Sequence, residues 1–341
     1  MKRLVCFALI IALTVSLVFA GGGRDRRSSG KITIYTSMYG DIVEDLHRTL
    51  AREFPNLQIE FFYGRTGTLQ ARIAQETAMG RLGCDILMVA DPSYSLELKQ
   101  NNMLHPYKSK EAPYLAFDYD PDGYWHPVRV SNMVLAFNPD RHARNTLPGS
   151  FYDFANDTRL RGYISMGSPL TSGTSLAAAA ALKDKYGYEY FDALGRQNVQ
   201  IEYASANSLT RLESGECRVV MILEESVLQR RQEGSRLEVI YPSDGAVVVP
   251  SNIMIVNDRW SANRNTAAAQ AVVDWFLSEK GQNAVVNGWM HSVRRDFNRL
   301  PYDSILTNEI LADSIPVNWD RILQERDQIR NRFEQALTLR R

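Results

Sequence analysis

Charge of one sign is what this sequence most plainly lacks. Its 341 residues carry 39 Lys and Arg against 39 Asp and Glu, so no bulk basic field exists to hold nucleic acid or a membrane surface. Cysteine is scarce, with three in all, too few for a disulfide framework. Histidines stand singly at 47, 105, 126, 142 and 291 with no HExxH pair, which removes the usual zinc-hydrolase helix. GxxxxGK[ST] is missing, and with it the nucleotide-cradling P-loop. Beyond the first twenty residues no apolar run is long enough to cross a bilayer.

Those first twenty residues set the expected compartment. Met1-Lys-Arg3 is a short positive region, Leu4 to Phe19 is apolar, and Val18-Phe-Ala20 ends in small residues before Gly-Gly-Gly. This pattern is that of a cleavable signal peptide over 1–20; the apolar run is short for a membrane anchor, and Cys6 lies too early for a lipoprotein. The mature chain would hold 37 basic against 39 acidic side chains, a formal charge of −2. Its two cysteines, Cys84 and Cys217, each precede an apolar strand-like run, so buried free thiols are expected rather than a bridge. Residues 21–30 (GGGRDRRSSG) form a polar, flexible leader.

From Lys31 strands and helices alternate. KITIYTS, LQIEFFYG and CDILMVA are strand-like, and DIVEDLHRTLAREF, TLQARIAQETAMG and SYSLELKQNNML between and after them are helical. Apolar β-branched runs alternating with helices predict a mainly parallel sheet covered on both faces. The rhythm breaks over 105–127, and VRVSNMVLAFN (128–138) is an unusually long strand. A second α/β series follows, then another long strand, AVVVPSNIMIVN (246–257), an Ala-rich helix from Thr266 to about Trp289, and a charged helix over about 319–337. The predicted architecture is α/β with two Rossmann-like lobes joined by a two-strand hinge. Lobe 1 takes 31–132 plus 248–300 and lobe 2 takes 133–247, while 301–341 is a helical segment packing across both. The cleft between two such lobes is the natural place for a ligand.

Ser168-Pro-Leu-Thr-Ser-Gly-Thr-Ser-Leu-Ala-Ala-Ala-Ala-Ala-Leu182 points to what that ligand is. One Ser would cap this helix, yet Thr171, Ser172, Gly173 and Thr174 crowd its start. Hydroxyls, free amides and a residue without Cβ at a positive helix end make an anion site that needs no cation. Two more helix starts are built alike: Thr36-Ser-Met-Tyr-Gly40, offering Ser37 and Tyr39, and Gly64-Arg-Thr-Gly-Thr68, offering Arg65, Thr66 and Thr68. Arg65 can fork onto a phosphate or carboxylate. A decorated cap and turn is the plainer reading of each; three together suggest a cradle.

In the order ITIYTS, RTGTLQARI, CDILMVADPSYS, SPLTSGTS, SGECRVVMILEES and PVNWD…RF, the chain resembles bacterial periplasmic solute-binding proteins that serve ABC importers. The nearest group binds ferric iron, hexose phosphates or phosphonates. The resemblance runs over nearly all of 31–338. It implies the type 2 periplasmic-binding fold, a solute trapped between lobes, delivery to permease transmembrane subunits, a periplasmic monomer, no cofactor and no catalysis. Ferric binders of the group hold iron with adjacent tyrosines after the strand here written VVMIL; this chain has Leu223-Glu224-Glu225-Ser226 there. Iron would have to use Tyr39, Glu224 and Glu225. A phosphorylated sugar or organophosphonate is the better expectation, its phosphate or phosphonate end on the Thr171–Ser175 helix start and its hydroxyls on Glu224 and Glu225.

Further candidates are weaker. Asp91 either faces the cleft or caps a helix, and Ser131 and Asn132 sit on the first crossing strand. Asn207 and Ser208 read as a cap, His291 and Arg294 as hinge neighbours, and Tyr124 and Trp125 as core or as a sugar platform. A secreted hydrolase is the reading from another class, with Ser172, a downstream acid and His291 as a triad. The G-x-S-x-G elbow it needs is broken, because Leu170 stands where the first Gly belongs.

Overall fold

A computed structural model describes residues 30–339. The signal-peptide reading and nearly all of the leader lie outside them. The first series is β1 (Gly30–Thr36), α1 (Gly40–Glu53), β2 (Leu57–Tyr63), α2 (Thr66–Ala78), β3 (Ile86–Val89) and α3 (Pro92–Gln100). A short β4 (Leu104–His105) and an irregular stretch lead to β5 (His126–Phe137), every residue of which is buried. The second series is α4 (Phe151–Asn156), β6 (Ile164–Gly167), α5 (Gly173–Tyr186), α6 (Glu189–Arg196), β7 (Gln200–Glu202), α7 (Ser205–Ser214), β8 (Val219–Leu223), α8 (Glu224–Gln232) and β9 (Glu238–Ile240). β10 (Val247–Val256) follows, then α9 (Thr266–Leu277), α10 (Glu279–Asn287), α11 (Thr307–Ala312) and α12 (Trp319–Leu337).

Two of these elements correct the sequence reading. The expected long Ala-rich helix is two helices, because Ser278 takes extended backbone (ψ 166°) and caps α10 by accepting from the Gly281 amide. The helix α6 was not anticipated: its eight residues are too few to display an amphipathic period beside the aromatic-rich Tyr186-Gly-Tyr-Glu-Tyr-Phe191.

The strands run in the order β2-β1-β3-β10-β5-β8-β6-β7, with β4 on β10 and β9 on β5. Within β2-β1-β3 and within β8-β6-β7 the pairing is parallel. β10 runs antiparallel to β3 and β5, and β5 antiparallel to β8. The sheet is therefore mixed rather than mainly parallel: each outer triad obeys the βαβ rule, and the two long strands turn against both. β5 and β10 pair from Met133↔Val247 to His126↔Ile253, with a bulge at Ser251/Asn252, and hold the two triads together.

The Ala tract follows from packing. From Gly173 to Leu182 every residue of α5 is buried, with β5 and β10 on one side and α6 and α12 on the other. Methyl side chains let four elements approach a helix that has no solvent face. On the far side, α12 reaches both halves. Arg326 bonds Glu97 on α3 at 2.7 Å, Lys183 on α5 bonds Glu325 at 2.6 Å, and Arg332 bonds Asp192 on α6 at 2.8 Å. Cys84 and Cys217 are free and buried, as expected.

Candidate functional site

Between the two triads lies a cleft of about 450 Å³, within the size range of small-molecule sites. The β→α turns that line it are where parallel strands deliver their helix starts. Five helices begin there: α1 at Gly40, α2 at Thr66, α5 at Gly173, α7 at Ser205 and α8 at Glu224, with residues of each initial turn or cap on the cleft wall.

Their capping is unusual. Tyr39, Arg65, Ala204 and Leu223 occupy the cap positions of α1, α2, α7 and α8, and none supplies a side-chain cap. On α5, Ser172 accepts from the Ser175 amide at 3.2 Å and exchanges a hydrogen bond with Thr174 Oγ1 at 3.0 Å; the Gly173 and Thr174 amides keep no partner among the described residues. Away from the cleft, α3, α4, α9, α10 and α12 are capped by Asp91, Ser150, Asn265, Ser278 and Asn318, with α6 and α11 as uncapped exceptions. Unpaired amides and aligned helix dipoles thus converge on one space, and both favour negative charge there.

A cation that sequence reasoning missed completes the wall. Arg129, on β5, is 4% exposed and lines the cleft. Its Nη1 donates to Ser131 Oγ at 3.0 Å and lies 3.7 Å from Glu225, while Nε has no partner among the described residues. Burial pushes its pKa down against the pull of Glu225. Within VRVSNMV an arginine flanked by valines at alternate positions was the available signal: a charge on a strand otherwise fully buried needs a reason. Glu225 accepts from Ser131 at 2.7 Å, and burial raises its pKa against the opposing pull of Arg129.

Of the other expected residues, Ser37, Tyr39, Arg65, Thr66, Ser172, Thr174 and Glu225 line the cleft; Thr68, Asp91, Ser131, Thr171, Gly173 and Glu224 do not. Thr68 is exposed on α2. Asp91 caps α3 and accepts from Gln70 at 3.0 Å. Ser131 stands behind the wall, between Arg129 and Glu225. Gly173 and Thr171 belong to the seam where the walls meet: the Gly67 amide donates to Thr171 O at 3.2 Å, and a Cβ on Gly173 would come within 2.5 Å of Ala90 O. Tyr39 Oη crosses the same gap to Ser226 (3.1 Å) and Ser205 (3.3 Å). Burial, with Glu225 adding to it, raises the Tyr39 pKa to about 12, so the phenol is protonated at neutral pH.

Glu224 is neither a solvated helix start nor a cleft residue. It is 1% exposed. Asn132 donates to it at 2.7 Å, His291 shares a 2.9 Å bond with it, Tyr241 donates at 2.5 Å, and Ser304 Oγ also donates. Burial pushes its pKa up, but these bonds win and hold it below the usual value. His291 does sit beside the crossing strand, exchanging backbone bonds with Val130. Its second nitrogen bonds Thr307 at 2.9 Å. Ser172 and His291 spend their bonds on different partners, so the triad arrangement is not formed. Asn207 lies inside α7 rather than at its cap, and Ser208 lines the cleft. Arg294 pairs with Glu111 and Asp296, each at 2.8 Å. Tyr124 and Trp125 pack on the core cluster around Tyr35 and Leu87.

Two α/β halves on a pair of shared strands, closing on a polar cleft rimmed by helix starts, define a solute-binding protein of the type 2 periplasmic architecture. Residues 84–324 match the family described as bacterial extracellular solute-binding protein, and the chain belongs to that family. It is 23% identical over 289 residues to an uncharacterized protein of Haemophilus influenzae, covering 80% of this chain and 81% of that one. It is also 23% identical over 262 residues (73% and 71%) to a probable ABC transporter periplasmic-binding protein, y4fP, of Sinorhizobium fredii. Among solved structures it resembles iron-bound HitA from Pseudomonas aeruginosa, with TM-score 0.77 and 19% identity over 90% of this chain and 99% of that one. AfuA from Actinobacillus pleuropneumoniae, with fructose-6-phosphate bound, gives TM-score 0.78 and 19% identity over 91% and 99%. These likenesses establish the fold.

Proposed function

We propose that the protein is the periplasmic substrate-binding component of an ABC importer, capturing a small anionic organic solute and handing it to the permease subunits. The solute class is a phosphorylated sugar or an organophosphonate. The observation that carries this reading is the convergence of five helix starts, four without side-chain caps, on a cleft that also holds the incompletely paired guanidinium of Arg129. Amides and a buried arginine are the groups that bind phosphate oxygens in the absence of water. Lobe 1 (31–132 with 248–300) and lobe 2 (133–247) would close about residues 131–134 and 247–251, with the segment from 301 onward packed across both.

Fe(III) is served less well by the same wall. Tyr39 and Glu225 reach the cleft, but Glu224 is held behind it by four donors. No group of three or more His, Cys, Asp or Glu suited to a metal occurs among the described residues.

A thermal-shift screen of ligand-stripped mature protein tests the reading, since a ligand that binds only the folded state raises Tm. Hexose phosphates, aminoethylphosphonate, inorganic phosphate and Fe(III)–citrate form the panel. A shift with a phosphate ester or phosphonate, lost in Thr174→Asp while the unliganded Tm holds, is the expected result. A shift with iron alone would overturn it.

A further inference from the structure

Two tyrosines occupy matching places in the two halves. Tyr63 is the last residue of β2, one edge strand of the sheet, and Tyr203 directly follows β7, the other edge strand. Each precedes an uncapped helix start, at Arg65 and Ala204. Both line the cleft, yet Tyr63 is 44% and Tyr203 70% exposed. Exposed tyrosines elsewhere mostly have a companion: Tyr119 stacks on His126, Tyr152 meets Tyr186, and Tyr114 and Tyr163 carry Arg294 and Arg218 over their rings. Among the described residues, the side chains of Tyr63 and Tyr203 have neither a ring contact nor a hydrogen bond.

The cleft wall also carries apolar surface from Met133, Met221, Ile222 and Leu209. A bare oxyanion would touch none of it and would fill little of a space of about 450 Å³. Resting on the anion reading above, we propose that Tyr63 and Tyr203 are specificity-determining residues that stack on the ring of a cyclic organophosphate, while the helix starts and Arg129 hold its phosphate. The ligand class is a phosphate ester whose body is a ring with an apolar face, either a pyranose or a flat heterocycle. Stacking on an aromatic face needs no hydrogen-bond pattern, only a ring of matching shape, and is lost when the tyrosine is truncated.

Calorimetric titration with glucose 6-phosphate, sorbitol 6-phosphate and thiamine monophosphate tests this, because the sorbitol ester keeps the phosphate and the hydroxyls but has no ring. The wild type is expected to bind at least one ring ester about tenfold or more tightly than sorbitol 6-phosphate; glucose 6-phosphate or thiamine monophosphate as the preferred one identifies pyranose or heterocycle. In Y63A/Y203A that preference disappears and sorbitol 6-phosphate affinity is unchanged. Equal binding of ring and open-chain esters by the wild type, or a ring preference that survives in Y63A/Y203A, overturns the tyrosine assignment and leaves the anion reading standing. Failure of all three esters to bind the wild type overturns this assignment, and the anion reading falls with it only if aminoethylphosphonate and inorganic phosphate also fail to bind.

Discussion

At the scale of single residues, Arg129 is the group on which the proposed anion binding turns. Replacement by methionine fills a similar volume beside Met290, whose Sδ lies 3.0 Å from Nη1, and removes the charge. Glu225 loses its cationic neighbour and, already raised by burial, becomes easier to protonate. Arg129→Met is expected to fold and to weaken anion binding roughly 10- to 100-fold by calorimetry. His126 gives a stability prediction of a different kind. It is 2% exposed, its Nε2 has no partner, and burial lowers its pKa to about 4 although Asp274 and Asp120 pull the other way. The unfolded chain takes up this proton near pH 6.5, before the folded one does, so stability is retained above that pH and falls as pH drops toward about 4. The loss is up to about 3 kcal/mol, and His126→Phe should flatten that limb of a Tm-against-pH curve. If the variant tracks the wild type, another group carries the acid limb.

At the scale of elements, the α5 start is where closure can be tested while every cleft amide is kept. Gly173 faces Ala90 O across the seam at a distance a Cβ cannot occupy. Gly173→Ala should therefore hold the walls apart, weakening solute affinity at least about tenfold while leaving the unliganded Tm within a few degrees. Elements were also what the sequence revealed best. Strand and helix alternation, the two long crossing strands and the span of α12 could be read from apolar period alone. Strand direction could not, because an antiparallel strand buried on both faces has the same apolar run as a parallel one; the direction of β10 became legible only through its partners. The convergence of helix starts on the cleft was likewise visible in their hydroxyls and glycines, whereas the place of Glu224 was not. Nothing local distinguishes a glutamate reserved for a ligand from one whose donors, Asn132, Tyr241, His291 and Ser304, come from four distant places in the chain.

For the whole molecule, the contacts across the seam describe walls already touching: Gly67 with Thr171, Tyr39 with Ser205 and Ser226, and Trp289 Nε1 donating to Gln232 at 2.7 Å. If opening and closing about β5 and β10 is the working motion, small-angle scattering should show a smaller radius of gyration with solute than without. Identical profiles would make the cleft a rigid one. The segment past β10 would then limit the swing, since α12 grips α3 and α6 at once.

The pairing of Ser131 with Val249 also governs how the chain acquires its shape. Those two residues come from distant parts of the sequence, so a large loop must close before the two triads are joined, and such long-range pairing slows refolding. Until β10 is in place, β5 has an unpaired edge made of residues that are all buried in the native fold, the kind of surface through which partly folded chains associate. Refolding from urea should consequently be slow, lose yield as concentration rises, and fail for fragments that end before Val247.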